Sequence, residues 1–344
     1  MASLGALKRS MAITLILIFG LLFALLVGIS VIIQYFMESA LVPFYIQIFI
    51  IILITVGFIL LQWAISPGII KWSCRLQYLK PGENPFLEGT VKELTQAAGV
   101  PMPRLAVCPD KTPNAFVFGR TQRSATLAVH IGLLEQLNKD EVKAVLAHEV
   151  GHLKHNDMVV MTIVSAVPIL AFMLARSILW SGRRDRGSGG IIIAAVVGYF
   201  VYIVSQLLIL KLSRQREYYA DAYSAVATKD PHSLSSALAK ITFGLSLAKD
   251  KPGAVRSFYI GDPVTAKEEV KVIMQNKNKY DLDGDGVLDE RELRKAMEEQ
   301  AKRPGSRLEF MSTHPSTFKR IQQLKLIEDD LKHSGVGTDI YRHI

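Results

Sequence analysis

The stretch His148-Glu149-Val150-Gly151-His152 decides the interpretation of this chain, because it places two histidines four residues apart. On an α-helix these positions lie on one face, so both imidazoles can bind the same metal ion. The glutamate directly after the first histidine can then reach a water on that metal. Three fixed residues at this spacing should match by chance in only about 1% of chains of this length. The motif therefore predicts a zinc-peptidase site.

The residues around this motif predict that it lies on a helix. Asn138 followed by Glu141 is typical of an N-cap with its capping-box partner. Apolar residues then recur at helical spacing, namely Val142, Val145, Leu146, Val150 and Leu153. The pattern allows this helix to run unbroken into the apolar segment that follows, which would set the metal close to a membrane surface.

Four long apolar stretches explain why half of the 344 residues are hydrophobic. A helix needs roughly 20 apolar residues to cross a bilayer. The four stretches are residues 11–33, 44–65, 158–175 and 191–210. The third is the shortest, and a buried core helix is its alternative. The first is too long for the apolar part of a cleaved signal peptide, so we predict a retained anchor.

Four spans divide the chain into membrane and non-membrane parts. We predict two N-terminal transmembrane helices within residues 1–66 and the first part of a peptidase domain at 67–157. A transmembrane hairpin at 158–211 and the second part of the peptidase domain at 212–344 follow. An even number of crossings separates the two peptidase parts, so they lie on the same side. Short strands are predicted in the first part, at 104–109, 115–118 and 125–131, from their Val, Phe, Thr and Leu content.

Basic residues predict on which side of the membrane the two peptidase parts lie. They flank the outer ends of the first two spans, as Lys8, Arg9, Lys71, Arg75 and Lys80. The loop between those spans carries one charge, Glu38. The positive-inside rule then places the peptidase parts in the cytoplasm and the chain in the inner or plasma membrane. Arg183, Arg184 and Arg186 in the later loop oppose this orientation, but early spans usually dominate. These loops also account for the net charge of +9, and no nucleic-acid partner is predicted.

A third zinc ligand is needed, since catalytic zinc normally has three protein ligands and one open position. Glu217 and Asp221 lie four residues apart after the fourth span and share a helix face. We assign Glu217 as the third ligand. Asp221 would accept a hydrogen bond from the far nitrogen of a ligand histidine. From spacing alone, a solvated helix of alternating charge explains these residues equally well.

These motifs together resemble the heat-shock protease HtpX family of membrane zinc metallopeptidases. The matching residues are His148 to His152, Glu217-Tyr218-Tyr219-Ala220-Asp221, Asn114-Ala115-Phe116, Thr313-His314-Pro315-Ser316 and Arg320-Ile321. The resemblance covers nearly the whole chain apart from one insert. It implies four transmembrane helices beside a mainly α, α+β gluzincin-like peptidase domain with a small β-sheet. It also implies a cytoplasmic, stress-response endopeptidase for damaged or misfolded membrane proteins, and it strengthens Glu217 as a zinc ligand.

The residues suggest how such a site would work. Glu149 would be the general base toward the zinc-bound water and would pass its proton to the leaving amine. The developing oxyanion needs a further donor, and His314 is the first candidate and Tyr219 a weaker one. Only the family pattern brings His314 near the metal, and a surface histidine in a turn is its alternative. His155 is expected near the site or on the surface, without binding metal.

Asn114 is the candidate substrate-binding residue, beside an edge strand to which an extended peptide could add. A turn residue is the alternative for Asn114. Cys74 and Cys108 show no metal-type spacing and suggest no disulfide framework. A silent zinc- and calcium-binding membrane scaffold is a rival function, but it would not need Glu149. A specific processing peptidase also stays open, because specificity depends on the shape of the cleft.

A second motif fills residues 281–292 and has the pattern of a twelve-residue EF-hand loop. Its predicted calcium ligands are Asp281, Asp283, Asp285, the Val287 carbonyl, Asp289 and Glu292, with Gly286 at the turn. Residues 267–280 and 291–302 could supply flanking helices within an insert at about 264–302. The family pattern does not include this segment, and an acidic solvated turn is the alternative. Calcium could stabilise the protein, gate its activity or mediate contact within a homo-oligomer.

Overall fold

The computed structural model describes residues 4–36, 43–180, 188–247, 259–285, 290–301 and 311–334. The chain divides into two compact units. The first comprises Met1–Leu7, Pro67–Met158 and Ser213–Ile344, and the second comprises Lys8–Ser66 and Val159–Leu212. The described residues are mostly helical and include one small mixed sheet. This part of the predicted fold class is confirmed.

Four long helices supply the second unit. They are α1 (Leu4–Phe36), α2 (Phe44–Ser73), α6 (Asp157–Trp180) and α7 (Ser188–Thr228). Apolar side chains of α1, α6 and α7 pack together around Ile18, Val164 and Ile209. Gly198 is needed for this packing, because an added Cβ would lie 2.8 Å from the Cβ of Ala175. Small residues allow such close approach between membrane helices.

The number of membrane spans is only partly supported. Among the described residues, two helices are long and apolar enough to cross a membrane, Ile52–Ser73 and Ala195–Thr228. A third is counted only if Lys139–Lys154 and Asp157–Met173 form one bent span. The first predicted span, residues 11–33, overlaps the shorter apolar segment Arg9–Ala24. Four spans therefore stay a prediction.

The first unit contains a four-stranded sheet in the order β1-β2-β4-β3. The strands are β1 (Gln77–Tyr78), β2 (Arg104–Cys108), β3 (Ala115–Phe118) and β4 (Thr126–His130). Strands β2 and β4 are parallel, and the other two pairs are antiparallel. The three predicted strands are found with their ends shifted by at most one residue. Strand β1 was missed because two residues are too few to show an alternating pattern.

Helices surround this sheet in the first unit. They are α3 (Pro85–Ala98), α4 (Ile131–Gln136), α5 (Lys139–Lys154), α8 (Pro231–Leu247), α9 (Pro263–Gln275), α10 (Lys277–Tyr280), α11 (Glu290–Ala301) and α12 (Thr317–Ser334). Helix α5 packs against α3, α8 and β3, and α8 also packs against α9 and α12. The apolar residues predicted for α5 are all buried, four of them in the main core and Leu153 beside Val117 and Ala125. Helix α5 is therefore the central element of this unit.

Both ends of α5 have clear local causes. Asn138 Oδ1 accepts a hydrogen bond from the Glu141 amide at 2.9 Å, and Glu141 Oε2 accepts one from the Asn138 amide at 2.8 Å. The predicted capping box is confirmed. The prediction that the helix runs unbroken into the next segment is wrong. Asn156 has a φ of 57°, a left-handed conformation that asparagine tolerates, and α6 starts afresh at Asp157.

Candidate metal centre

Three side chains from two helices of the first unit form one group. His148 and His152 come from α5, and Glu217 comes from α7. Their potential ligand atoms all lie within 4.8 Å of one another. The two Nε2 atoms are 3.1 Å apart. Glu217 Oε2 is 3.6 Å from His148 Nε2, and Glu217 Oε1 is 3.4 Å from His152 Nε2. The structure thus brings together the three predicted zinc ligands.

Gly151 explains how α7 comes close enough to contribute its glutamate. An added Cβ at this position would lie 3.0 Å from the Tyr223 ring and 3.3 Å from the Ala220 backbone. Any larger residue would therefore push α7 away from α5. Gly151 therefore allows α5 and α7 to pack closely, in addition to spacing the two histidines.

The donor set fits a zinc ion. Each histidine has its Nδ1 atom beside a carboxylate, so both Nε2 atoms face the same point. Glu217 Oε2 is buried and accepts no hydrogen bond, although Arg320 Nη1 lies 3.3 Å away. Two imidazole nitrogens and one carboxylate are a donor set that catalytic zinc takes in peptidases. These residues therefore have the chemistry to hold one zinc ion.

Asp221 lies beside His148, where the sequence predicted a carboxylate next to a ligand histidine. Its Oδ1 atom is 2.9 Å from His148 Nδ1. Arg320, on α12, donates from Nε and Nη2 to both oxygens of Asp221 at 2.7 Å each. The family pattern included Arg320, but no role was predicted for it. Its contact with Asp221 spans 99 residues of chain and leaves no local signal.

A second carboxylate, Asp157, lies beside the other histidine and was not predicted. Its Oδ2 atom is 2.6 Å from His152 Nδ1, and its Oδ1 atom accepts a short hydrogen bond from Arg216 Nη2. Asp157 and Arg216 are both buried. The only available signal was an acidic residue five positions after His152, and such a residue is ordinary at a helix start.

Glu149 points into the same buried region as its neighbours. Only 3% of the residue is exposed. Burial raises the pKa of its carboxyl group, and the nearby imidazoles of His152 and His148 partly oppose that rise. The Val117 backbone of β3 also lowers this pKa. The predicted general base therefore lies close to this strand of the sheet.

His314 lies near the metal-binding group despite its distance along the chain. Its Nε2 atom is 3.9 Å from Glu217 Oε1, and its Nδ1 atom is 2.9 Å from Thr313 Oγ1. The residue is 97% buried, so the alternative of a surface histidine is wrong. Burial lowers the pKa of His314 and favours the neutral ring.

The other predicted residues lie elsewhere. Asn114 is 1% exposed, and its Oδ1 atom accepts a hydrogen bond from the Ile260 amide at 2.9 Å. That contact ties two segments together and does not support substrate binding by this side chain. Tyr219 packs against His155, with ring centroids 4.2 Å apart. Burial lowers the pKa of His155 to about 4, and it is not in the metal-binding group.

The predicted calcium loop is described in part. Carboxylate oxygens of Asp281, Asp283 and Asp285 lie within 4.8 Å of one another. Glu292 is buried and accepts hydrogen bonds from the Leu282 and Asp283 amides. Residues 286–289, which include the predicted Gly286, Val287 and Asp289, lie outside the described residues.

Known proteins are similar to this chain over most of its length. The family profile "Peptidase family M48" matches residues 81–328. "Protease HtpX homolog" of Methanothermobacter thermautotrophicus is 39% identical over 240 residues, covering 70% of this chain and 87% of the relative. The Aeropyrum pernix homologue is 34% identical over 283 residues, covering 80% and 85%. "Protease HtpX homolog 2" of Methanosarcina mazei is 38% identical over 290 residues, covering 83% and 86%.

A solved structure is more distant. The crystal structure of S. mikatae Ste24p has 24% sequence identity and a TM-score of 0.44. The match covers 75% of this chain and 64% of that one. At this similarity, no feature of Ste24p is transferred to this chain.

Proposed function

Because the chain belongs to peptidase family M48 and is an HtpX-type membrane metalloprotease, we propose that it is a zinc endopeptidase of misfolded or damaged membrane proteins. The observation that carries this proposal is the buried group of His148, His152 and Glu217 with Glu149 beside it. A scaffold that only bound metal would have no need of Glu149 as a general base.

The proposed mechanism assigns a role to each residue. His148, His152 and Glu217 would hold one zinc ion, which when bound lowers the pKa of a water and polarises the substrate carbonyl. Glu149 takes the proton of the attacking water and later gives it to the leaving amine. The neutral His314 donates a hydrogen bond to the oxyanion that develops on the carbonyl oxygen.

We propose that the substrate lies along strand β3. Among the described strands it is at the edge of the sheet, and its Val117 backbone lies close enough to the Glu149 carboxyl group to lower its pKa. An extended peptide can add to such an edge through backbone hydrogen bonds that do not depend on sequence. Broad recognition of this kind suits unfolded segments of membrane proteins as substrates.

We also propose that the active site faces the cytoplasm of a cell whose inner or plasma membrane holds the protein. Lys71 lies in the last turn of the candidate span Ile52–Ser73, and Arg75 follows it. Basic residues at the end of a span favour the cytoplasmic side.

The decisive test is the Glu149→Gln variant. It should keep zinc, because Glu149 is not a ligand, but lose about 100-fold or more in kcat, since proton transfer typically contributes that much. Cleavage of an unfolded membrane-protein substrate in detergent and zinc content by mass spectrometry measure the two effects. The exposed Glu135→Gln is the matched control. Equal activity in Glu149→Gln would rule out this base. No cleavage by the zinc-loaded wild type would favour the scaffold or a narrow processing peptidase.

We propose, second, that one calcium ion binds the loop at residues 281–292 and orders it near the peptidase site. Support comes from the EF-hand pattern and from the grouped Asp281, Asp283 and Asp285. The flanking helices pack through Ile273 and Met297 against Phe318, two residues before Arg320.

Calcium should therefore raise the Tm of the zinc-loaded wild type, and this rise should be lost in Asp281→Asn. Differential scanning fluorimetry and peptidase activity across a calcium titration, with a magnesium control, measure the response. Sedimentation at each calcium concentration tests for a homo-oligomer. Unchanged Tm and activity would contradict calcium binding at this loop.

A further inference from the structure

Asp157 contacts both a proposed zinc ligand and an arginine. Its Oδ2 atom is 2.6 Å from His152 Nδ1, and its Oδ1 atom receives Arg216 Nη2. A histidine whose Nδ1 is held by a carboxylate has a fixed tautomer and ring orientation. Because His152 Nδ1 is held in this way, its Nε2 is directed toward His148 Nε2 and Glu217 Oε1.

The arginine keeps the aspartate itself in place. Arg216 is 4% exposed and Asp157 is 7% exposed, so water does not screen their charges. Arg216 directly precedes Glu217 on α7, and successive helical residues point about 100° apart. Arg216 can therefore reach Asp157 while Glu217 reaches the metal-binding group. Arg216 also approaches the His155 carbonyl, 3.4 Å away, at the break between α5 and α6.

Asp157 and Arg216 also lie close to the two ends of one long segment of the chain. Asp157 and Arg216 both belong to the first unit, and they flank the segment 159–212 that runs through the second unit. Their contact joins residues 59 positions apart, at the two points where this segment leaves and rejoins the first unit. The same ion pair thus connects the two ends of the segment and contacts a proposed zinc ligand.

We infer that Asp157 and Arg216 are a positioning pair that sets the orientation of His152 for zinc. This inference rests on the zinc site of the proposed function. His148 has an equivalent arrangement. Its Nδ1 atom contacts Asp221, and Asp221 accepts hydrogen bonds from Arg320. The two pairs differ because only the first lies at the ends of this segment.

Zinc affinity of Asp157→Asn, measured by competition with a chelator, tests this inference. Asparagine keeps the size of the side chain but removes the charge that holds Arg216. We expect the zinc affinity to fall about 10–100-fold, the usual cost of losing such a partner. The absorption spectrum of the cobalt-substituted protein should also change, because the geometry around His152 changes.

Two further variants separate positioning from simple loss of stability. Asp230→Asn is the matched control, since Asp230, like Asp157, lies at a helix start, where it accepts a hydrogen bond from the Ser233 amide. It should leave zinc affinity and the cobalt spectrum unchanged. Arg216→Lys keeps the positive charge and should lose less affinity than Asp157→Asn while changing the cobalt spectrum in the same direction.

The outcomes distinguish this inference from the function on which it rests. If Asp157→Asn lowers the Tm of the zinc-free protein but leaves zinc affinity and the cobalt spectrum unchanged, the positioning role is wrong. If the wild type itself binds no zinc, the proposed function fails first. A wild type that binds zinc tightly and a weakened, spectrally altered Asp157→Asn would support the pair.

Discussion

Arg320 is the largest fully buried side chain among the described residues, and it carries a full charge. Its guanidinium donates to both oxygens of Asp221 and lies 3.3 Å from Glu217 Oε2. A buried cation is stable only when carboxylates balance it. The guanidinium therefore offsets the repulsion between two acidic residues inside the unit.

Replacing Arg320 should be costly for this reason. Arg320→Met leaves Asp221 and Glu217 buried without their cation, and we expect unfolding free energy to fall by about 3–5 kcal/mol. Chemical denaturation of the zinc-free protein in detergent measures the change. Lys325→Met removes an exposed partner of Glu298 and should cost no more than about 1 kcal/mol. A similar loss of unfolding free energy in both variants would show that Arg320 is not needed to balance the buried carboxylates.

At this scale the sequence identified side chains better than their contacts. His148, Glu149 and His152 form a local motif that spacing alone identifies. Glu217 and Asp221 also lie one helical turn apart, but only the family resemblance favoured them over a solvated helix. Asp157, Arg216 and Arg320 were missed because they act across 59 and 99 residues of chain. No local pattern encodes such contacts. Asn114 was assigned to substrate, yet its amide is committed to the Ile260 backbone.

Helix α5 carries both histidines of the metal-binding group and Glu149. Its start is fixed by Asn138 and Glu141, and its buried face supports both histidines. Glu141 also links α5 to α8, because Ser236 Oγ and Lys240 Nζ donate to its carboxylate at 2.6 and 2.9 Å. The capping box thus serves both the local helix and the packing of its neighbour.

This carboxylate predicts a pH-dependent stability. Burial would raise the pKa of Glu141, but hydrogen bonds from Lys240, Ser236 and Asn138 outweigh it and lower the pKa below its ordinary 4.5. A carboxyl group with a depressed folded pKa stabilises the protein above the unfolded pKa, and this gain is lost as the pH falls through the folded value.

The Tm difference between wild type and Glu141→Gln should therefore be largest near neutral pH and shrink on acidification. Scanning calorimetry of the zinc-free protein between pH 7 and pH 3 measures it, with the exposed Glu135→Gln as the control. A difference that stays constant with pH would mean that packing, and not charge, explains the role of Glu141.

At the scale of elements, the features that depend on neighbouring residues were predicted well. The cap, the buried face of α5 and three strands followed from residue type and spacing. The end of α5 did not, because the apolar residues continue past it. Only the backbone of Asn156, with its positive φ, separates α5 from α6. Strand β1 owes its existence to pairing with β2 and has no pattern of its own.

At the scale of the molecule, hydropathy and family resemblance were the informative signals. Apolar length identified candidate spans, and two are found among the described residues. The first unit is assembled from separate stretches of chain, on either side of the segment 159–212. Composition predicts such stretches one by one, but it cannot show that Glu217 and His148 meet, since their contact depends on how α5 and α7 pack.

The late position of Arg320 has a consequence for how a cell makes this protein. Helix α5 leaves the ribosome long before α12, which supplies the cation that balances Asp221 and Glu217. A nascent chain that lacks α12 holds both histidines but cannot bury those two carboxylates together. Under the proposed function, the peptidase site would therefore be completed only after translation has passed Arg320.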